Sequence, residues 1–160
     1  MAPAAATQND LMVLLSQTAH ALSSELTAAL SELGISPRAH CVLSKAMAGG
    51  QTQSRLAELA ALDKTTMVVT VDELERAGLA ERRPSSTDRR ARIIEVTPAG
   101  EKLVAEGQEI VRRVYDDVLS VLPDAEREAF VDALARLVGG PLSLHGERHA
   151  RRPRASSVTK

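Results

Sequence analysis

Leu11, Leu15, Leu22, Leu26, Leu30 and Leu33 recur at helical spacing, and the run closes at Gly34, a natural C-terminal cap. The spacing predicts a first helix of about two dozen residues. Ser36-Pro37 has the cap-then-proline order of a second helix, running to about Met47 and stopped by Gly49-Gly50. Thr52 caps a short third helix, Gln53 to Ala61, with Leu56 and Leu59 inward. Asp63 caps a fourth, Lys64 to Ala77, ended by Gly78, with Val68, Val71 and Leu74 toward the core. The period then changes. Between Arg82 and Thr97 two short strand-like runs flank a polar tip, Ile94 and Val96 alternating against Ile93 and Glu95. Thr97-Pro98 opens a long fifth helix carrying Leu103, Ile110, Val111, Val114, Val118 and Leu122. Pro123 breaks it and starts a sixth with Phe130, Leu134 and Leu137.

This order predicts a mostly α chain with a small β-hairpin wing: a winged helix-turn-helix over 35–97, flanked by long helices over 10–34 and 98–138. Residues 1–9, small and polar, read as a disordered start, and the Gly-, Pro-, Ser- and Arg-rich stretch 139–160 as a flexible basic tail. The outer helices hold more leucine and valine than a small winged helix can bury. They are therefore expected to be dimerisation helices whose partner is a second copy.

With one Tyr, one Phe and no Trp, the chain lacks the aromatics on which single-stranded nucleic acid stacks, and its core must be aliphatic. No apolar run is long enough to span a membrane, and Met1 to Asn9 lacks the basic and apolar regions of a signal peptide. A single cysteine rules out an internal disulfide, which fits a reducing cytoplasm. Enzyme chemistry finds no support. There is no phosphate-cradling glycine loop, nucleophile elbow or metalloprotease signature, and Asp116-Asp117 diverge by about 100° on a helix. No cofactor is expected.

Charge changes the picture locally. The chain carries a net charge of −1, yet Arg82 to Arg92 contains five arginines and one aspartate, a local +4. The hairpin tip is Ser85, Ser86, Thr87, Asp88, Arg89 and Arg90, placed directly after a helix-turn-helix. Such a tip suits phosphates or a narrow minor groove, where the negative potential is highest. The fourth helix complements it as a recognition helix. Lys64, Thr65, Thr66 and Thr70 suit base edges and phosphates near a helix N-terminus, and Met67 or Val69 suits thymine methyls. Asp88, Arg89, Arg90 and Arg92 are the candidate wing contacts. Arg38, Gln53, Ser54, Arg83, Ser85 and Ser86 are candidates for the DNA backbone. For Arg82, Arg83 and Arg92 a solvated strand end is an equal reading. Ordinary helix capping accounts for Asp63 and Thr66, but not for the adjoining basic wing.

The segments T-Q-S-R-L-A-E-L-A-A-L-D-K-T-T-M-V-V-T-V-D-E-L-E-R-A-G-L-A-E-R and T-D-R-R-A-R-I-I-E-V-T-P-A-G-E closely resemble the multiple-antibiotic-resistance regulator (MarR) family of bacterial repressors. The likeness runs from roughly Leu11 to Val138, the second segment being the more specific. It implies a homodimer on double-stranded DNA with a pseudo-palindromic operator, and a small aromatic or anionic effector. The family's wing Asp-x-Arg pair falls on Asp88 and Arg90, the arginine reaching the minor groove while the aspartate helps to hold it. The chain departs from many relatives at Ala61, where a turn glycine is common, and at Val69, where a base-reading arginine is frequent. His20, Arg38, His40 and Cys41 are the candidate effector-pocket residues, against satisfied or exposed histidines and a small buried cysteine. His145 and His149 stand four apart, but the surrounding glycines and Pro141 oppose the rigid helix a metal clamp needs, and no metal site is assigned. A constitutive architectural DNA binder and a metal- or redox-responsive regulator stand as alternatives.

Overall fold

The computed structural model describes residues 7–88 and 90–140, with side chains from Asp10 onward. Its helices are α1 (Thr7–Leu30), α2 (Pro37–Ala46), α3 (Gln53–Leu59), α4 (Lys64–Arg76), α5 (Pro98–Leu119) and α6 (Asp124–Gly139). A 3₁₀ turn, Ser31–Leu33, follows α1, and the strands β1 (Ala80–Pro84) and β2 (Arg92–Val96) lie between α4 and α5. The chain divides into two compact units, Met1–Pro123 and Asp124–Lys160.

Four side-chain caps set the helix starts of the first unit. Ser36 accepts from the Ala39 N–H at 3.1 Å, Thr52 from Arg55 at 3.1 Å, Asp63 from Thr66 at 2.9 Å and Thr97 from Gly100 at 3.1 Å. Each satisfies a donor that helix geometry leaves without an intrahelical partner. Pro37 and Pro98 occupy first-turn positions, where the missing N–H costs nothing. Gly78, at φ +69, lets α4 end and the chain turn into the wing. The wing is an antiparallel pair in the register Ala80↔Val96 through Pro84↔Arg92. A bridge between Thr52 and Ile93, with the Ile94 N–H donating to the Gln51 carbonyl at 3.0 Å, ties it to the segment before α3.

Leu30, Val42, Leu43, Leu56, Met67, Val71, Leu74 and Ile94 form the fully enclosed centre of the core. Each such side chain contributes about 1.5–3 kcal/mol on burial. Two expected orientations are corrected. Val68 is exposed, and Met67 and Thr70 take the inward places beside Val71 and Leu74. Positions 67, 70, 71 and 74 make one helical stripe, and Val68 lies about 100° from Met67. Leu59 is also exposed, because α3 stops there and Leu56 with Ala57 supplies its inward face. At the other end, α1 begins at Thr7, ahead of the first leucine. The polar residues before Leu11 carry no apolar signal; residues 1–6 and 141–160 lie outside the described residues.

Leu11, Met12, Val13, Leu14 and Leu15 are exposed on α1, as are Phe130, Val131, Leu137 and Val138 on α6. Only toward its C-terminal end does α1 join the core, through Leu26 and Leu30.

Ala61, in the turn between α3 and α4, has φ +53 and is the one non-glycine residue with positive φ among those described. A left-handed conformation costs a residue with a Cβ about 1–2 kcal/mol. Glycine's greater unfolded-state freedom takes back about 0.5–1 kcal/mol of that. Ala61→Gly is therefore expected to stabilise the chain by up to about 1 kcal/mol. A urea melt in which the midpoint fell would show that the turn is not strained.

Candidate nucleic-acid interface

The start of α4 presents Lys64, Thr65, Val68 and Val69 to solvent. Its cap is a closed unit: the Asp63 carboxylate accepts both the Thr66 N–H and, at 2.6 Å, the Thr66 hydroxyl. The Thr66 hydroxyl bond, then the Thr66 N–H bond, hold the Asp63 carboxyl below its ordinary value. A depressed carboxylate contributes above its unfolded value of 3.8 and is lost as pH falls through the folded one. The helix start thus keeps its cap at neutral pH. Thr66 is half-buried and uses its hydroxyl here, whereas Lys64 and Thr65 remain exposed.

Thr70 must leave the set of base-reading residues. It is fully buried, and its hydroxyl donates to the Thr66 carbonyl at 2.7 Å, one turn back on the core side of α4. Met67 is buried too. Val68 takes their place as an exposed apolar group beside Val69, hidden from the sequence by its resemblance to a core position. A shallow cleft of about 230 Å³, lined by Gln53, Ser54, Ala57, Lys64, Met67 and Val68, separates α3 from the start of α4.

The wing tip is built around Ser85 and Asp88. The Ser85 hydroxyl accepts the N–H groups of Thr87 and Asp88, both at 3.2 Å, and contacts the Thr87 hydroxyl at 3.0 Å. The Asp88 carboxylate accepts the Arg90 N–H at 2.9 Å, and Asp88 and Ala91 close the turn through the backbone. Asp88 therefore holds Arg90 by its main chain and leaves its guanidinium exposed. Ser85 is a tip-forming residue, while Ser86 is exposed; Arg89 lies outside the described residues.

The four described arginines, Arg82, Arg83, Arg90 and Arg92, fall into different roles. Arg83 pairs with Glu81 at 3.0 Å and with Glu95 at 2.9 Å, sitting between two acidic residues that the hairpin register places opposite each other. Those partners compete with a phosphate for its half-exposed guanidinium. Arg82 reaches the other way, to Asp72 at 2.7 Å, to Glu75, and to the Gln53 side chain at 3.1 Å. It is neither a solvated strand end nor an open phosphate donor, and it engages Gln53, another backbone candidate. Arg90 and Arg92 are exposed and in no ion pair among the described residues. Ser54 is exposed near Gln53.

A second cavity, of about 170 Å³, opens between α1, α2 and α5. His40 and Cys41 line it, with Ser44 and Lys45 from α2, Gln108 and Tyr115 from α5, and Leu26 and Leu30 from α1. His20 is exposed on α1 and lines no part of it. Arg38 does not line it either, and pairs instead with Glu73 on α4 at 3.3 Å. His40 is buried with its Nε2 3.4 Å from the Val104 carbonyl, against Gly107, where a larger residue would strike its ring. Burial pushes the Cys41 thiol above its ordinary value, against a smaller pull from Lys45. A thiolate-based sensor requires the opposite shift. Burial, then Cys41, raises the Tyr115 phenol likewise. No cluster of three metal-ligating side chains occurs among the described residues, and His145 and His149 lie outside them. No described helix is long and apolar enough to cross a membrane.

A model of the MarR family matches residues 33–91, from the end of the 3₁₀ turn to the wing tip. CouR from Rhodococcus jostii RHA1, in a crystal structure bound to p-coumaroyl-CoA, is 28% identical, covering 86% of this chain and 97% of its own at a TM-score of 0.75. Over its winged-helix segment the chain is similar to the MarR family. A MarR-family transcriptional regulator from Rhodococcus sp. RHA1 is 27% identical, covering 86% of this chain and 98% of its own at a TM-score of 0.77. The transcriptional repressor CouR bound to a 23-mer DNA duplex shares the fold, at 23% identity, coverage of 86% and 99%, and a TM-score of 0.76. Like those proteins, this chain is mostly helical with a two-stranded antiparallel hairpin, as the apolar pattern predicts.

Proposed function

We propose that this chain is a sequence-specific, double-stranded-DNA-binding repressor that acts in the cytoplasm as a homodimer and is released from its operator by a small-molecule effector. The observation that carries the reading is the distribution of wing charge. Arg82 and Arg83 are matched by acidic side chains, while Arg90 is held at the tip by its backbone with its guanidinium exposed and outside any ion pair among the described residues. A charge left free at the tip, beyond strand arginines matched by acidic side chains, is suited to a narrow minor groove. Lys64, Thr65, Val68 and Val69 supply the major-groove face, a cation and a hydroxyl followed by two apolar groups for thymine methyls.

The exposed apolar residues of α1 and α6 support the dimer, since a second copy would cover them. A two-fold axis would set the reading helices about 34 Å apart, one DNA turn, and so select a pseudo-palindrome. CouR has been crystallised with p-coumaroyl-CoA, and a repressor of that name with duplex DNA, which supports a regulator that takes both kinds of partner. Here the cavity of about 170 Å³ suits one aromatic ring, since a cavity of about 150 Å³ admits benzene. Lys45 offers a cation for an acid group, replacing His20 and Arg38 as polar anchors. Phenolic acids titrated into a preformed protein–operator complex are expected to lower operator affinity, and Lys45→Met to weaken that response. A compound that bound the protein without releasing DNA would leave a constitutive DNA binder, because an effector shifts an equilibrium only by binding its two states unequally.

A further inference from the structure

Arg82 sits midway along β1, opposite Ile94, yet its side chain is used on the helices. Its Nε donates to the Gln53 side chain on α3, its terminal nitrogens reach Asp72 and Glu75 on α4, and one lies 3.4 Å from the Val68 carbonyl. Its backbone N–H also donates to Glu75, at 2.8 Å. The side chain is only 23% exposed, against 56% for Arg83. A guanidinium has five N–H donors in a rigid fork, and here the fork is spent on the two helices of the helix-turn-helix. Little is left for a phosphate.

We propose that Arg82 is a positioning residue that locks the wing to the recognition helix, so that Arg90 and the start of α4 meet DNA as one preorganised body. A two-stranded hairpin is marginal by itself. Ile94 and the contact to Gln51 anchor one strand of this one, and Arg82 anchors the other. Without Arg82 the tip must be ordered at the moment of binding, which is an entropic cost charged to affinity. The lock rests on the DNA-binding reading for its effect, but not for its existence.

The test uses the full chain and a fluorescent duplex selected by that chain from a random-sequence library. Arg90→Ala is expected to weaken binding roughly 10- to 100-fold in the unmodified background. In an Arg82→Met background the same change should cost less than about 3-fold, because the wing no longer delivers the arginine. Arg82→Lys should not restore the coupling, since one ammonium cannot hold Asp72, Glu75 and Gln53 together. With Arg90→Ala already present, Arg82→Met should leave the salt dependence unchanged, whereas loss of a direct phosphate contact would lower the slope by about 1. Additive effects of the two substitutions, or a slope change in that background, would overturn the proposal. Hydrogen exchange without DNA reads the lock separately: the Ser85 and Ala91 amides should exchange faster in Arg82→Met, with α2 and α4 unchanged. Faster exchange in a protein that binds no duplex would remove the DNA reading and keep the lock; unchanged exchange would remove the lock. Should Arg82→Met not fold, Asp72→Asn combined with Glu75→Gln opens the same lock from the helix side and must give the same loss of coupling.

Discussion

Arg90→Ala lowers affinity for a selected duplex by roughly 10- to 100-fold at moderate salt, a cost of about 1–3 kcal/mol. Its guanidinium lies at the tip of a turn that Ser85 and Asp88 fix through four hydrogen-bonded contacts. Little backbone freedom is therefore lost on binding, and the ordering cost is confined to the Arg90 side chain. The loss should appear on every sequence variant that keeps a narrow flanking groove, and the slope of log affinity against log salt should fall by about 1. Asp88→Ala should act in the same direction but more weakly, since it frees the Arg90 backbone and leaves the charge in place. By contrast, Thr65→Ala or Val68→Ala should change the ranking of major-groove variants more than the mean affinity. Anisotropy titrations at several salt concentrations separate these outcomes. Unchanged affinity for Arg90→Ala would reduce the wing to a loop.

The second large effect concerns stability. Gly100, in the first turn of α5, is buried against the Leu79 carbonyl and the Val96 side chain, and a Cβ there would overlap both. Val96 can turn aside, but the Leu79 carbonyl cannot, because it accepts the Thr97 N–H at 3.0 Å and so fastens α5 to the base of the wing. Gly100→Ala is expected to destabilise the chain by about 3 kcal/mol, the upper end for overpacking. Alanine's helix-propensity advantage of about 1 kcal/mol does not offset it. Thermal melts should shift down by about 6–12 °C for a chain of this size. An unchanged or higher melting temperature would mean that the junction between wing and α5 gives way freely.

Gly100 also shows what the sequence could and could not convey. The helix starts were legible because Ser36, Thr52, Asp63 and Thr97 are short polar caps set before apolar periodicity, a signal complete within a few residues. The hairpin was legible for the same reason: its tip chemistry and strand alternation are local. The glycine of T-P-A-G-E was visible as a motif, but its cause lies in the Leu79 carbonyl, supplied by a different element. On α4 the stripe was misjudged by one position. Methionine and threonine at 67 and 70 are less emphatic core residues than Val68, and only packing against the neighbouring helices fixes the rotation.

The arginines mark the same boundary more sharply. Counting charge over Arg82 to Arg92 gave +4, but Asp72, Glu75, Glu81 and Glu95 lie outside that window and face Arg82 and Arg83 once α4 and the strands meet. Pocket residues divide likewise. Lys45 stands four positions from Cys41 and so shares its helix face, a usable signal, whereas Gln108 and Tyr115 enter from α5 and have no sequence link to α2.

A hydroxyl-radical footprint on the selected duplex tests the central claim most directly. Two symmetric protected patches about one helical turn apart are expected, each flanked by a minor-groove protection that disappears with Arg90→Ala. A single unsymmetrical patch, or flanking protection indifferent to Arg90→Ala, would contradict a dimer that reads DNA with α4 and holds it with the wing.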